Sequence, residues 1–206
     1  MPLLSPSKII CVGRNYAAHA KELGNEVPKE PLLFFKPVSS IIRDGESIRL
    51  PTVSKQVEYE GEIGVIVGKR LRKASAEEAS GAIAGLAAAN DVTARDLQKS
   101  DGQWTRAKGF DTFCAVGEVV AVPNDLASLT ITTRVNGTVR QQGRVTDMVF
   151  SIPALLAYIS GIMTLEPGDL VLTGTPDGVG ILAPGDVVEV EIIGVSRVKN
   201  PVTGDV

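Results

Sequence analysis

Glu60 and Glu62, separated by a single residue, open the most apolar strand-like run of the chain, Glu-Ile-Gly-Val-Ile-Val-Gly over 62–68. Side chains two apart on an extended strand point the same way and lie about 6 to 7 Å apart, so both carboxylates crowd one face. Buried like charges are costly, or force one group to keep its proton, unless a cation lies between them. A third carboxylate, Asp91, follows another apolar stretch in Asn-Asp-Val-Thr-Ala-Arg-Asp over 90–96. Three hard oxygen donors suit a divalent ion such as Mg2+ or Mn2+, with coordination positions left for a bidentate oxygen ligand and Lewis-acid chemistry. Spacing alone equally allows exposed edge carboxylates on an amphipathic strand. Glu58 adds a second ambiguity, because it shares the face and can replace Glu60 in the pair.

His19 and Glu22, three apart on an expected helix, share one face, so the carboxylate can orient the imidazole and raise its basicity. His19 is the one histidine of the chain, and any imidazole chemistry must use it. The alternative is an ordinary surface histidine. Arg14, Lys36, Arg95, Gln98 and Lys108 are candidate binders of an anionic substrate: arginine grips a carboxylate bidentately, and lysine brings a compact charge to a carboxylate or enolate. For each, a solvated surface group is the alternative. The turn Thr-Gly-Thr-Pro-Asp-Gly-Val-Gly over 173–180 offers backbone N–H groups and the Thr173 and Thr175 hydroxyls to a carboxylate, and it lacks the pattern of a phosphate loop.

Strands expected at 8–12, 32–35, 47–50, 58–68, 85–92, 113–122, 130–135, 139–142, 169–173 and 186–193 must position these groups. Asn15 is placed to cap a helix running to Leu23. Ser75 and Glu78 have capping-box order before a helix over 76–83, and a third helix covers 151–159. Asn136-Gly137 is a hairpin signal. The polar stretch 96–111 reads as a functional loop or short helix. Strands without regular helix alternation point to a closed or rolled mixed sheet in one domain.

The chain has 206 residues, 44% of them hydrophobic and 22% charged, enough for a substantial core. A net charge of -3 gives no footprint for nucleic acid or an anionic membrane and favours small-molecule chemistry. No run is long enough for a membrane span and no leader pattern opens the chain, so a cytoplasmic location is expected. Cys11 and Cys114 sit among apolar neighbours and read as buried reduced thiols.

Six motifs in one order resemble the fumarylacetoacetate hydrolase family: Arg14-Asn15-Tyr16 with His19 and Glu22; Phe35-Lys36-Pro37; Glu60-Gly61-Glu62; 90–98 from Asn90 to Gln98; Trp104 with Lys108-Gly109-Phe110-Asp111; and Thr173-Gly174-Thr175-Pro176. The resemblance spans about residues 8 to 195 and is closest to the short branch of acylpyruvate hydrolases, oxaloacetate decarboxylases and isomerase/decarboxylase enzymes of homoprotocatechuate breakdown. It implies an α+β, strand-dominated mixed β-roll with a few short helices. Residues 1–206 then form one catalytic domain, with a lid-like helix contributed from about residues 1–50. It also implies a homodimer, and Mg2+ or Mn2+ held by Glu60, Glu62 and Asp91, which settles the Glu58 ambiguity. Arg95, Gln98, Lys108 and a threonine of the 173–176 turn line the substrate site in this resemblance, Lys36 lies near it, and His19 with Glu22 matches a pair that activates water. The activity expected is cleavage of a C–C bond in a small 2-oxo acid; isomerisation of a hydroxymuconate-type dienol is the alternative, and a non-catalytic carboxylate sensor the third reading.

Overall fold

The computed structural model describes residues 5–204. Its largest sheet has seven strands in the spatial order Leu32–Lys36, Ile9–Gly13, Leu170–Leu172, Gly61–Val67, Ile83–Asp91, Cys114–Val116 and Ile41–Ile42. Ile9–Gly13 runs parallel to Leu170–Leu172 and Ile41–Ile42 parallel to Cys114–Val116, whereas the other pairs are antiparallel. A five-stranded sheet orders Thr138–Arg144, Thr130–Val135, Val187–Ile192, Ser196–Gly204 and Ile48–Leu50, and a three-stranded one joins Gly180–Ile181, Val57–Tyr59 and Thr93–Ala94. These curled mixed sheets are the expected strand-dominated α+β roll. No helix of the described residues is long and apolar enough to cross a membrane.

Alternation along the central strands makes two apolar layers. Ile63, Val65 and Val67, with Leu86 and Ala88, join Ile131, Val188, Val190, Ile192 and Val198 of the five-stranded sheet in the main core. The opposite face carries Ile66, Ala87 and Ala89, which cluster with Ile9, Cys11, Cys114, Leu170 and Leu172. Each such side chain removed from water contributes about 1.5–3 kcal/mol when large. The same period of two places Glu62 on the face of Ile66, and Asp91 on the face of Ala87 and Ala89, at one end of this second cluster. Cys11 and Cys114 are free thiols buried in it; burial pushes the Cys114 thiol up to about 12 and Cys11 well above its usual range.

Local signals are realised where the partners are close in sequence. Ser75 Oγ accepts from Glu78 N at 3.2 Å while the Glu78 carboxylate accepts from Ser75 N at 2.7 Å. Asn136 and Gly137 adopt φ of 52° and 80°, the left-handed pair that joins Thr130–Val135 to Thr138–Arg144.

Four expectations are corrected. The strand over 58–68 is two strands, Val57–Tyr59 and Gly61–Val67, in different sheets, because Glu60 N turns to the Asn90 side chain instead of continuing the ladder. Asn15 does not cap the helix Ala17–Glu22; Tyr16 stands at that position, and the Asn15 amide serves more distant backbone groups. The helix expected to reach 83 ends at Ser80, since Ile83 pairs with Val67 in the sheet. Finally, five α-helices rather than three occur among the described residues, with Arg95–Asp101 and Thr105–Lys108 occupying the stretch read as a loop or short helix and Ile152–Ile162 the longest. The terminal strand Ser196–Gly204 and three two-residue strands carry no clear periodic signal and were not expected.

Candidate active site

Glu60, Glu62 and Asp91 come together as buried carboxylates, each offering an oxygen within 4.8 Å of the others. That span is about twice a metal–oxygen bond of a hard cation, so the donor set fits Mg2+ or Mn2+. Two adjacent strands supply it: Glu60 precedes Gly61–Val67, and Asp91 ends Ile83–Asp91, where Asp91 N donates to Glu60 O at 2.8 Å. A side chain at Gly61, between the glutamates, would have to displace Thr133, since a Cβ there would sit 1.9 Å from Thr133 Oγ1 of the second sheet. Gly61→Ala is therefore expected to cost about 1–3 kcal/mol of stability by overpacking, measured by urea unfolding.

Three cations meet these acids. Lys108 Nζ, 1% exposed as a residue, donates to Glu60 Oε2 at 2.7 Å and Asp91 Oδ2 at 2.6 Å. Lys36 Nζ donates to Asp91 Oδ1 at 2.7 Å and to Val92 O at 3.2 Å. Arg95 forks between Glu58, whose Oε2 lies 2.7 Å from Nε, and Glu60, and its third arm donates to Gln98 Oε1 at 2.5 Å. Glu58 is thus consumed by Arg95 and by Gln56 Nε2 at 2.6 Å, outside the acidic cluster.

Glu58, Glu60, Glu62 and Asp91 against Lys36, Arg95 and Lys108 leave one formal negative charge. A divalent ion turns that into one positive charge, which attracts an anionic ligand. Burial opposes ionisation of Glu60, yet the Lys108 ammonium and Arg95 guanidinium overcome it and hold the carboxyl below its ordinary range. Burial also disfavours the Lys108 charge, and Asp91 and Glu60 outweigh it, raising that ammonium. Glu62 behaves oppositely: burial, then Asp91 and Glu60, push its carboxyl well up, against which the Gly174 N–H donates to it at 2.6 Å. Of the three acids, Glu62 gains most from an added cation.

A cleft opens over this corner and is lined by Arg14, His19, Glu60, Glu62, Arg95, Gln98, Lys108 and Thr175, with Val12, Leu23, Phe34 and Trp104 as apolar wall. Phe34 and Trp104 meet edge to face at 5.1 Å between centroids, and Lys108 Nζ lies 4.9 Å from the Phe34 centroid. The buried His19 has Nδ1 3.3 Å from Glu22 Oε2, and the Glu22 oxygens accept from Gly178 N at 3.0 and 3.2 Å. The helix Ala17–Glu22 is thus seated on the 173–180 turn, above the acids. Arg14, which precedes that helix, has the left-handed φ of 59° and no hydrogen-bond or ion-pair partner among the described residues.

Two expected substrate binders lie elsewhere. Lys36 supports Asp91 and is not part of the cleft lining. Thr173 is fully buried and spends its hydroxyl on Ile63 O at 2.9 Å, so of the two threonines only Thr175 faces the cleft. Other contacts that hold this corner together are not visible in residue spacing. Gly174 N holds Glu62. Asn15 Nδ2 ties Phe150 O and Thr173 O at 3.0 and 2.8 Å. Gln141, in a strand whose residues are all polar or small except Val139, carries no signal separating it from its exposed neighbours.

Comparison with known proteins finds similarity along nearly the whole chain. The family model described as Fumarylacetoacetate (FAA) hydrolase C-terminal matches residues 8–203. An Arabidopsis thaliana protein named mitochondrial oxaloacetate tautomerase FAHD1 is 46% identical over 199 residues, covering 94% of this chain and 89% of its own length. A Dictyostelium discoideum protein named mitochondrial oxaloacetate decarboxylase is 43% identical, covering 91% of this chain and 89% of its own. The crystal structure of a 5-carboxymethyl-2-hydroxymuconate delta-isomerase from Mycobacterium smegmatis superposes with a TM-score of 0.92 at 42% identity, over 100% of this chain and 81% of that one.

Proposed function

The chain belongs to the fumarylacetoacetate hydrolase family and is an enzyme, and we propose that it uses Mg2+ or Mn2+ to cleave a C–C bond of a small 2-oxo acid. The observation that carries this reading is the buried trio Glu60, Glu62 and Asp91, in which Lys108 bridges Glu60 and Asp91 and the two glutamates open onto a cleft that also holds His19 and Arg14. The trio would hold the ion, which when bound supplies Lewis-acid stabilisation of negative charge developing on a 2-oxo oxygen.

Arg14, having no carboxylate of the protein to neutralise it, binds a carboxylate of the substrate. Gln98 gives its Oε1 to Arg95 and keeps its amide N–H groups for the ligand. Thr175 Oγ1 donates to Gly61 O at 2.9 Å and accepts from Gln141 at 2.8 Å, which leaves a lone pair for a substrate hydroxyl or a bound water. Lys108 spends two N–H bonds on Glu60 and Asp91, and the third points charge at an enolate oxygen. Glu22 engages His19 Nδ1, so Nε2 is the free base: it takes a proton from water, the water oxygen attacks the C4 carbonyl of a 2,4-diketo acid, and the C3–C4 bond breaks to a carboxylic acid and the pyruvate enolate, which takes the proton back at C3 to give pyruvate. Oxaloacetate loses CO2 without an attacking water, and then Lys108 and the acidic corner suffice.

Isomerisation is the second reading, favoured by the tautomerase and isomerase names of the relatives and by an acid–base pair able to move a proton without bond cleavage. A homodimer belongs to the proposal as well; Phe35 and Val38, about half exposed at the edge strand Leu32–Lys36 and just beyond it, are surface that a second copy would cover, and sedimentation checks it. Buried free thiols suit a reducing cytoplasm.

Incubation of the purified protein and Mg2+ with oxaloacetate, an acylpyruvate and a hydroxymuconate-type dienol, followed by proton NMR, separates the readings. Pyruvate from the first two supports cleavage, and a shifted double bond with intact carbon chain selects isomerisation. Turnover of none would leave only a carboxylate sensor. EDTA is expected to abolish turnover and Mn2+ to restore it.

A further inference from the structure

Thr138–Arg144 is one of the two edge strands of the five-stranded sheet, and most of its side chains are exposed; Gln141 is only 2% exposed. Its amide is used on both sides. Oε1 accepts from Gly61 N at 3.0 Å, and Nε2 donates to Thr175 Oγ1 and to Pro176 O, each at 2.8 Å. Thr175 Oγ1 in turn donates to Gly61 O at 2.9 Å. Gly61, Gln141 and Thr175 therefore close a ring in which the N–H and C=O of Gly61 are both held from outside its own sheet.

Gly61 is the residue between Glu60 and Glu62. Small rotations of its peptide planes swing the two carboxylates relative to each other, and a glycine has the backbone freedom to make them. The other end of the ring fixes the turn whose Gly174 N–H holds Glu62. The contact of Thr133 with Gly61 closes the remaining side.

We propose that Gln141 is a positioning residue: by holding Gly61 to the Thr175–Pro176 turn it sets the separation of Glu60 and Glu62, and hence affinity for the divalent ion. The inference rests on reading the acidic corner as a metal site. It assigns the second sheet a part in the chemistry beyond covering the core, although that sheet contributes no side chain to the cleft lining.

Gln141→Met keeps the volume and loses the three hydrogen bonds; Gln141→Glu keeps an acceptor for Gly61 N and sets an oxygen where Nε2 donates. Val198→Ala is the control, because it removes core packing in the same sheet and leaves every hydrogen bond of the ring in place. Mn2+ affinity by calorimetry is expected to fall at least about tenfold in both Gln141 variants, the scale of outer partners of metal ligands, and to stay within about twofold in Val198→Ala, as expected for an uncoupled site. Hydrogen exchange at the Gly61 amide, followed without metal, is expected to speed up in the Gln141 variants alone. Wild-type affinity in both Gln141 variants overturns the proposal, and so does an equal loss in Val198→Ala, which would mark the effect as general loosening of the sheet. If Gln141→Met does not fold, Gln141→Glu is decisive by the same criteria. A wild-type protein that binds no Mn2+ sinks the metal-site reading instead, and Gly61 exchange then decides the positioning role by itself.

Discussion

Glu62→Gln and Asp91→Asn are both expected to weaken Mn2+ binding by well over about tenfold, given that even outer partners of metal ligands are worth roughly 10- to 100-fold, yet to move metal-free stability in opposite directions. Asp91 receives Lys36 and Lys108 together, at 2.7 and 2.6 Å, in a fully buried setting. Asparagine leaves two buried ammonium groups short of their counter-charge, and breaking such a pair costs about 3–5 kcal/mol. Glu62 makes no ion pair among the described residues, and burial, Asp91 and Glu60 press against its charge more than the nearby Lys108 ammonium favours it. A glutamine there still accepts from Gly174 N and removes the repulsion.

The sign follows from linkage. A carboxyl whose folded value is raised above its unfolded one destabilises the fold at neutral pH. The cost fades as pH falls and is gone below about pH 4, where the unfolded glutamate is protonated too. Glu62→Gln is therefore expected to raise the urea midpoint at pH 7 in EDTA and to show no gain at pH 4. Asp91→Asn lowers the midpoint at pH 7. A Glu62→Gln protein less stable than wild type in EDTA at pH 7 would contradict this account of the corner.

His19→Ala is expected to divide the reactions from one another. Hydrolysis of an acylpyruvate needs a proton removed from water, and loss of the base lowers kcat by about 100- to 10,000-fold. Decarboxylation of oxaloacetate needs no such proton transfer and is expected to keep a rate within about tenfold of wild type, since the electrostatic stabilisation at Lys108 and the acidic corner is untouched. Both rates are read from pyruvate formation under identical Mg2+ concentrations. Near-wild-type acylpyruvate hydrolysis would remove His19 as the base. An equal loss in both reactions would assign the seated helix Ala17–Glu22 a general role in closing the cleft.

Much of this was legible in the chain because the relevant signals are short in range. The apolar run from Ile63 to Val67 next to two glutamates, the Ser75/Glu78 cap and the Asn136-Gly137 turn are each decided by neighbours within a few residues, and the structure realises them. Period-two alternation set Glu62 beside its neighbours on one face but left Glu58 open as an alternative to Glu60; the trio Glu60, Glu62 and Asp91 was what the family resemblance implied, and the three carboxylates do lie together. The ordered motifs marked the family. What they left undecided was which polar groups face the ligand and which hold other polar groups in place.

That second distinction depends on contacts far apart in sequence. Lys36 and Lys108 are both lysines near expected ligand residues, yet one backs Asp91 and the other enters the cleft. Thr173 and Thr175 differ by two positions, and only the site of Ile63 O makes the first structural. Glu58 and Glu60 share a face until the strand breaks at Glu60, after which Arg95 takes Glu58 away from the acidic corner. Gln141 reaches Gly61 across 80 positions and from a different sheet. Residue type and spacing state what a side chain is able to bind; the partner that desolvates it first is chosen by packing, because buried polar groups must be satisfied wherever the fold has brought them.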